Sequence, residues 1–164
     1  MRVVRSERRV RSLMLDDVYN KRILQLAANI PHLERLVAPD ATAKAHSRLC
    51  GSTVTIDLSM QGDVVSAFGQ DVKACALGQA SCSVMGAHVV GSTSAELRAV
   101  REQVRAMLKD NGPAPAGKWA DLEVLLPVRD YKARHASTLL VFDAVVDAVS
   151  QIEAARRTRL EAAE

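Results

Sequence analysis

The cysteine thiols and one histidine imidazole are the side chains of this protein whose positions favour chemistry. Cys50 lies in the stretch Leu49-Cys50-Gly51-Ser52, where the glycine lets the backbone bring the sulfur close to a metal or a second thiol. Cys75 lies at the predicted start of a helix, where unpaired N–H groups and the helix dipole favour a thiolate and predict a lowered pKa. His135 opens the last predicted helix in a basic stretch, a setting that favours a nearby anion or thiolate. The pattern therefore indicates an exposed metal-binding or nucleophilic site.

Each of these residues also has a purely structural interpretation. Cys82 follows Cys75 by two helical turns, about 10 Å, so both cannot bind one metal ion from a straight helix. A single cysteine is more often a small buried apolar residue than a ligand, and we interpret Cys82 in this way. For Cys50 and Cys75 both interpretations stay open, and His135 alone would be typical of an exposed helix start. The spacing of these residues matches no compact zinc-finger pattern, and no phosphate-binding loop, dinucleotide fingerprint or zinc-protease motif is present.

Length and composition restrict the class of protein. The chain has 164 residues, of which 48% are hydrophobic and 25% charged, enough for one domain with one core. No apolar run approaches the ~20 residues that span a bilayer, and no N-terminal stretch resembles a signal peptide. Three cysteines do not make a secreted disulfide framework, so we expect a cytoplasmic protein. Aromatic residues are only 3%, which argues against specific nucleic-acid binding.

Charge divides the chain into three segments. Five arginines and one glutamate fall in residues 1–12, while the rest of the chain is close to neutral. We expect residues 1–14 to be a basic, disordered arm and residues 15–152 to form the single domain. Residues 153–164 are mostly charged and are expected to be a fraying tail.

The first half of the domain has the pattern of a small sheet. A helical stripe from Leu15 ends at Pro31, and a strand is expected over Ala43–Leu49. Strict alternation of apolar and polar residues over Val54–Met60 predicts a half-buried strand. The turn at Gly62 leads into a second strand over Val64–Phe68, which makes an antiparallel hairpin.

The second half has the pattern of helices. We expect one over residues 74–90 and one that a capping box at Thr93 begins. A short helix is expected around Leu122 and Leu125, and a long final helix capped by Ser137 or Thr138. Early strands and late helices predict an α+β fold, a small antiparallel sheet of about three strands with helices packed on one face.

The order of these features resembles U-type iron–sulfur cluster assembly scaffolds, the family of IscU, SufU and the N-terminal domain of NifU. The resemblance is carried by Cys50-Gly51, the alternating strand Val54–Met60, the turn at Gly62 and, most specifically, the stretch Cys75–Met85. The segment Arg134-His135-Ala136-Ser137-Thr138-Leu139 also resembles it. The similarity runs from about Leu15 to about Ile152.

The resemblance implies a ligand set. In this family three cysteines, with an aspartate or a histidine, hold a nascent [2Fe–2S] cluster or a zinc ion, and a cysteine desulfurase delivers the sulfur. Carried over, Cys50 and Cys75 match the first two cysteines, and His135 matches the histidine. This chain departs from the pattern at two positions, with Ser52 at the aspartate and Ala136 at the third cysteine. Serine is a poor ligand for iron or zinc and alanine is none, so weaker metal binding is expected.

Three hypotheses follow from the resemblance. The first is a scaffold, not an enzyme, that binds iron or a [2Fe–2S] cluster through Cys50, Cys75 and His135 and transfers it to acceptor apoproteins. Its open ligand positions would be completed by water, a partner or a second copy in a homodimer. The second is a zinc-bound, SufU-like sulfur-transfer partner of a cysteine desulfurase, with Cys75 as the sulfur acceptor. The third is a metal-free interaction module that kept only the fold.

Overall fold

The computed structural model describes residues 20–164. The predicted basic arm and the predicted helix start at Leu15 therefore lie outside the described residues. Three antiparallel strands form one sheet in the order β1-β2-β3, and the longest helix packs across β1 and β2. The expected α+β fold with a small antiparallel sheet is confirmed.

The sheet is built from β1 (Ala41–His46), β2 (Thr53–Gln61) and β3 (Val64–Lys73). The apolar residues of the alternating strand are buried, as its period of two predicts: Val54, Ile56, Leu58 and Met60. β3 continues five residues beyond the predicted end at Phe68, because its pairing with β2 runs the full length of that strand, from Gln61↔Val64 to Thr53↔Lys73. β1 lies slightly earlier than predicted, which leaves residues 47–52 as a connecting turn.

A buried carboxylate anchors the preceding loop to the sheet. Asp57 accepts two hydrogen bonds from the Arg35 guanidinium, at 2.6 and 3.0 Å, and one from the Leu36 backbone N–H at 3.0 Å. The Thr42 hydroxyl donates a further bond to it. The hydrogen bond from Arg35 holds the pKa of Asp57 below its usual value. The loop between Pro31 and Ala41 is thus tied to β2 by charge as well as by packing.

Four α-helices are described: α1 (Lys21–Ala28), α2 (Ala76–His88), α3 (Ser94–Lys109) and α4 (His135–Ala163). Asn20 caps α1 by accepting from the Ile23 N–H, and Thr93 caps α3 by accepting from the Glu96 N–H at 3.1 Å. The predicted start of α3 is therefore confirmed. None of the helices within residues 20–164 has both the length and the apolarity needed to cross a membrane.

The segment before α4 is a longer helical element than the short helix predicted there. Residues Gly117–Asp130 form a 3₁₀-helix, and Lys132–Arg134 form a second, short one. The buried residues recur every three positions, which matches the three residues per turn of this helix type: Trp119, Leu122, Leu125 and Val128. The sequence prediction used only the middle pair of this series.

The start and the end of α4 differ from the sequence prediction. Neither Ser137 nor Thr138 is the N-cap, because the helix begins at His135 and both hydroxyls donate back to the Arg134 carbonyl, at 3.1 and 2.8 Å. At the other end the helix continues through the charged segment to Ala163. Arg156 contributes there by donating to the carbonyl of Met60 near the end of β2 and to that of Gly62 in the β2–β3 turn.

Candidate functional site

A tight turn between β1 and β2 presents Cys50 to solvent. The Ser47 N–H donates to the Ser52 carbonyl and the Gly51 N–H donates to the Ser47 carbonyl, both at 2.9 Å. Gly51 has φ +72°, a left-handed conformation that residues with a Cβ adopt at a cost. The glycine beside the cysteine thus has the role that the sequence predicted, because it lets the chain turn back and leaves Cys50 exposed.

Hydroxyl groups surround the Cys50 sulfur. The slight burial of this thiol would by itself raise its pKa. Hydrogen bonds from Ser47, Ser52 and Ser137 outweigh that effect and lower the pKa to about 7. The Cys50 Sγ lies 3.0 Å from the Ser52 Oγ. Ser47 is buried in the same turn, and its hydroxyl has no hydrogen-bond partner of regular geometry among residues 20–164. Cys50 is therefore substantially ionised near neutral pH.

Cys75 lies at the N-cap of α2, where the sequence predicted it. Its side chain makes no capping hydrogen bond, and its sulfur lies 3.5 Å from the Ser137 Oγ on α4. A glycine permits this approach, since a Cβ added at Gly78 would lie only 3.1 Å from the Ser137 carbonyl oxygen. The close packing of α2 on α4 therefore places the Cys75 thiol beside Ser137.

Ser137 brings the two thiols into one place. Its Oγ lies 3.5 Å from the Cys75 sulfur, and its hydroxyl is also among those that lower the pKa of Cys50. We call the group of Cys50, Ser52, Cys75 and Ser137 the thiol corner. It combines three separate parts of the chain: the β1–β2 turn, the start of α2 and the first turn of α4.

His135 begins α4 but is buried rather than exposed, so it is not the surface residue that a helix start would suggest. Its Nε2 lies 3.0 Å from the carbonyl oxygens of both Val128 and Arg129. Two acceptors at this nitrogen require it to carry the hydrogen, which leaves the lone pair of the neutral ring on Nδ1. The ring is thus oriented by the backbone of the 3₁₀-helix, as metal-binding histidines commonly are.

The structure does not gather all the expected ligands into one cluster. Within residues 20–164, no group of three or more His, Cys, Asp or Glu residues is arranged to hold a metal ion. Cys50 and Cys75 share the thiol corner, whereas the described hydrogen bonds of His135 go to the 3₁₀-helix instead. Ala136, the residue after His135, is exposed on the first turn of α4. The donor set that is present is a pair of thiols and one oriented imidazole.

Cys82 is excluded from this chemistry by its surroundings. It is fully buried in the middle of α2, and burial strongly raises the pKa of its thiol. Its location agrees with the sequence interpretation as a small apolar residue of the core.

Sequence reasoning missed two serines that shape the site. No pattern singles out Ser47, and the sequence predicts for Ser137 only a helix cap and a place in the segment that resembles the scaffold family. Both act on Cys50 from positions that are separated by 90 residues, and no local pattern marks them. The hydroxyls are recognisable only once the turn and α4 are placed side by side.

Comparisons with known proteins relate this arrangement to a family. The chain is similar to the crystal structure of a nitrogen-fixing NifU-like protein (N-terminal) from Brucella abortus, with 60% identity and a TM-score of 0.84. This alignment covers 85% of the present chain and 97% of the other. A protein from Fervidobacterium islandicum, named as an iron–sulfur cluster assembly scaffold for the SUF system, has the same fold at 19% identity and a TM-score of 0.75, over 82% and 98% of the two chains. No protein-family model and no curated protein matches the chain.

The first of these similarities is high over nearly the whole of the other chain, and the expected resemblance to U-type scaffolds is confirmed. The chain therefore belongs to the family of NifU-like N-terminal domain proteins.

Proposed function

We propose that this protein is an iron–sulfur cluster assembly scaffold that holds iron or a nascent [2Fe–2S] cluster as cargo and passes it to acceptor apoproteins. The observation that carries the proposal is the convergence of Cys50 and Cys75 on Ser137 at an accessible corner. Thiolates are the ligands that iron–sulfur clusters prefer. Membership of the NifU-like family, and the scaffold role named for the Fervidobacterium protein, support the same function.

The residues present fit such a cargo incompletely. Cys50 and Cys75 supply two thiolates, and His135 supplies a ring whose Nδ1 carries the lone pair. Ser52 and Ala136 stand where the family pattern has two further ligands, so the remaining positions require water, a partner protein or a second copy of this chain. Fewer protein ligands make the cargo easier to release, which suits a carrier that does not turn over a substrate.

The test is the metal and acid-labile sulfide content of protein purified and reconstituted without oxygen. We expect iron and sulfide with the unaltered protein, and their loss in Cys50→Ala and Cys75→Ala. Cys82→Ala is the matched control, because it removes a thiol from the same helix as Cys75 but from the core. Zinc without sulfide would instead support the sulfur-transfer hypothesis. Absence of any metal from all variants would overturn both and leave the metal-free interaction module.

A gain-of-ligand variant sharpens this test. Ala136→Cys adds the third thiol of the family pattern at an exposed position next to Ser137. If the thiol corner holds the cargo, this variant should retain iron and sulfide longer against a chelator than the unaltered protein does. Ala133→Cys, at another exposed alanine just before α4, is the control for a thiol added outside the site. Equal retention by both variants would argue against the proposed ligand set.

Sulfur acceptance is a second candidate function, which the exposure of Cys50 favours. Its thiolate would attack the terminal sulfur of a persulfide on a cysteine desulfurase. A bond forms between that sulfur and Cys50, the persulfide S–S bond breaks, and its electron pair leaves on the desulfurase cysteine as a thiolate. Exposure and the pKa of about 7 support Cys50 as the acceptor, rather than the half-buried Cys75. Mass spectrometry after incubation with a desulfurase and cysteine tests it, since the added sulfur should be lost in Cys50→Ser and kept in Cys75→Ser.

A further inference from the structure

A cavity of about 510 Å³ opens beside the first turn of α4, next to the thiol corner but formed by other residues. Its walls come from the end of α3, the end of the 3₁₀-helix and the start of α4. The lining residues are Leu108, Lys109, Asn111, Arg129, Asp130, Lys132, His135 and Ala136. A volume of this size is within the range of small-molecule binding sites.

The lining of this cavity is cationic, although the protein as a whole carries a formal charge of only +3. The lining contains three cations, Lys109, Arg129 and Lys132, and one carboxylate, Asp130. Its net charge is therefore +2 with neutral histidine. None of the three cations forms an ion pair with another residue of the described chain. Their charge is therefore available to a ligand.

Arg129 is the fixed part of this lining. Its Nε donates to the Met107 carbonyl at 2.8 Å, and its Nη2 donates to the Gly112 carbonyl at 2.7 Å. These bonds hold the guanidinium at the end of α3, while Nη1 makes no hydrogen bond within residues 20–164. A guanidinium held in this way loses little conformational entropy when an anion binds.

We propose that this cavity binds a small free anion with at least two oxyanion groups, carboxylates or phosphates. The three cations line one cavity from the end of α3 and the two 3₁₀ segments, so a ligand with more than one oxyanion group can contact several of them at once. His135 and Ala136 belong to the wall, so the bound anion would lie at the edge of the proposed cargo site. The inference does not depend on the cargo, since neither cysteine of the thiol corner lines the cavity.

Isothermal titration calorimetry of the metal-free protein with citrate and with pyrophosphate tests the proposal. We expect saturable binding of at least one probe, and the stronger binder identifies the carboxylate or the phosphate source. Lys109→Gln with Lys132→Gln should weaken binding about tenfold, because two exposed ion pairs are lost. Lys21→Gln with Lys44→Gln makes the same change in net charge at exposed sites elsewhere and should have little effect.

Two further variants make the outcome specific. Asp130→Asn removes the one carboxylate of the lining and should strengthen binding of the same probe. Cys75→Ala should leave binding unchanged, so that failure of the cargo proposal and failure of this one are distinguishable. Absence of saturable heat with both probes, or equal weakening by the two lysine pairs, would overturn the proposed anion site.

Discussion

Cys50 and Cys82 carry the same thiol group in two opposite environments, one exposed and one buried. In the thiol corner, Cys50 is exposed, and hydroxyls from Ser47, Ser52 and Ser137 lower its pKa to about 7. Within α2, Cys82 is fully buried, with no group that stabilises a thiolate, and its pKa is strongly raised. The comparison teaches that cysteine chemistry here is decided by hydrogen-bond donors and solvent, both of which tertiary packing supplies.

The largest expected effect is a difference in alkylation rate between the two cysteines. With iodoacetamide at pH 7, Cys50 should react at least about a thousandfold faster than Cys82. The buried Cys82 thiol can form a thiolate and react only after the core opens. Mass spectrometry of peptides from a time course measures both rates in one sample. Comparable rates under native conditions would contradict the assigned environments, and labelling in denaturant, where both cysteines are accessible, is the internal control.

The next effect is on stability. Cys82→Ser places a hydroxyl at a fully buried position and should lower the free energy of unfolding by about 2 kcal/mol. Cys50→Ser makes the same chemical change at an exposed position and should stay within about 0.5 kcal/mol of the unaltered protein. Urea unfolding followed by circular dichroism measures both. Equal losses in the two variants would mean that Cys50 has a structural role instead.

A smaller effect isolates the hydroxyls that act on Cys50. Ser52→Ala removes a donor to the sulfur and should raise the pKa of Cys50 by roughly one unit, towards its ordinary value. The midpoint of the pH dependence of Cys50 alkylation gives this pKa. Ser150→Ala, at an exposed serine on α4, is the matched control and should leave the midpoint in place. An unmoved midpoint in both variants would show that Ser52 does not stabilise the thiolate.

The smallest effect is a pH dependence of stability. Between pH 7 and 9 the folded Cys50 has lost its proton, whereas the unfolded thiol, with an ordinary pKa of 9.0, still holds it. The free energy of unfolding should therefore rise with pH through this window, because the unfolded state binds more protons. The stabilisation is fully present above pH 9 and is lost as the pH falls through 7. Its size is limited by solvent screening at this exposed site.

Comparing the pH slope of unfolding for the unaltered protein and Cys50→Ser measures this contribution. The serine variant should lack the rise between pH 7 and 9, while Cys82→Ala should keep it. Identical slopes in all three proteins would show that the folded state does not lower the pKa of Cys50.

Local patterns of the sequence determined much of the fold. Alternation over Val54–Met60 identified β2, the turn at Gly62 identified the hairpin, and the Thr93 capping box identified the start of α3. These features follow from interactions between residues near one another in the chain, which a sequence pattern records directly. The glycine beside Cys50 and the helix start at Cys75 were likewise visible, and the structure contains both.

Only the tertiary structure decided how these parts meet. Ser137, predicted as a helix cap, instead lies between two thiols that are 25 residues apart in the chain, because α2 packs closely on α4 at Gly78. His135, at a helix start typical of exposed residues, is buried because the 3₁₀-helix supplies carbonyls to its ring. Burial and hydrogen bonding between distant segments leave no periodic trace in the sequence. The candidate residues and the local elements that carry them could therefore be predicted from the sequence. The ionisation and the grouping of the thiols depended on the fold.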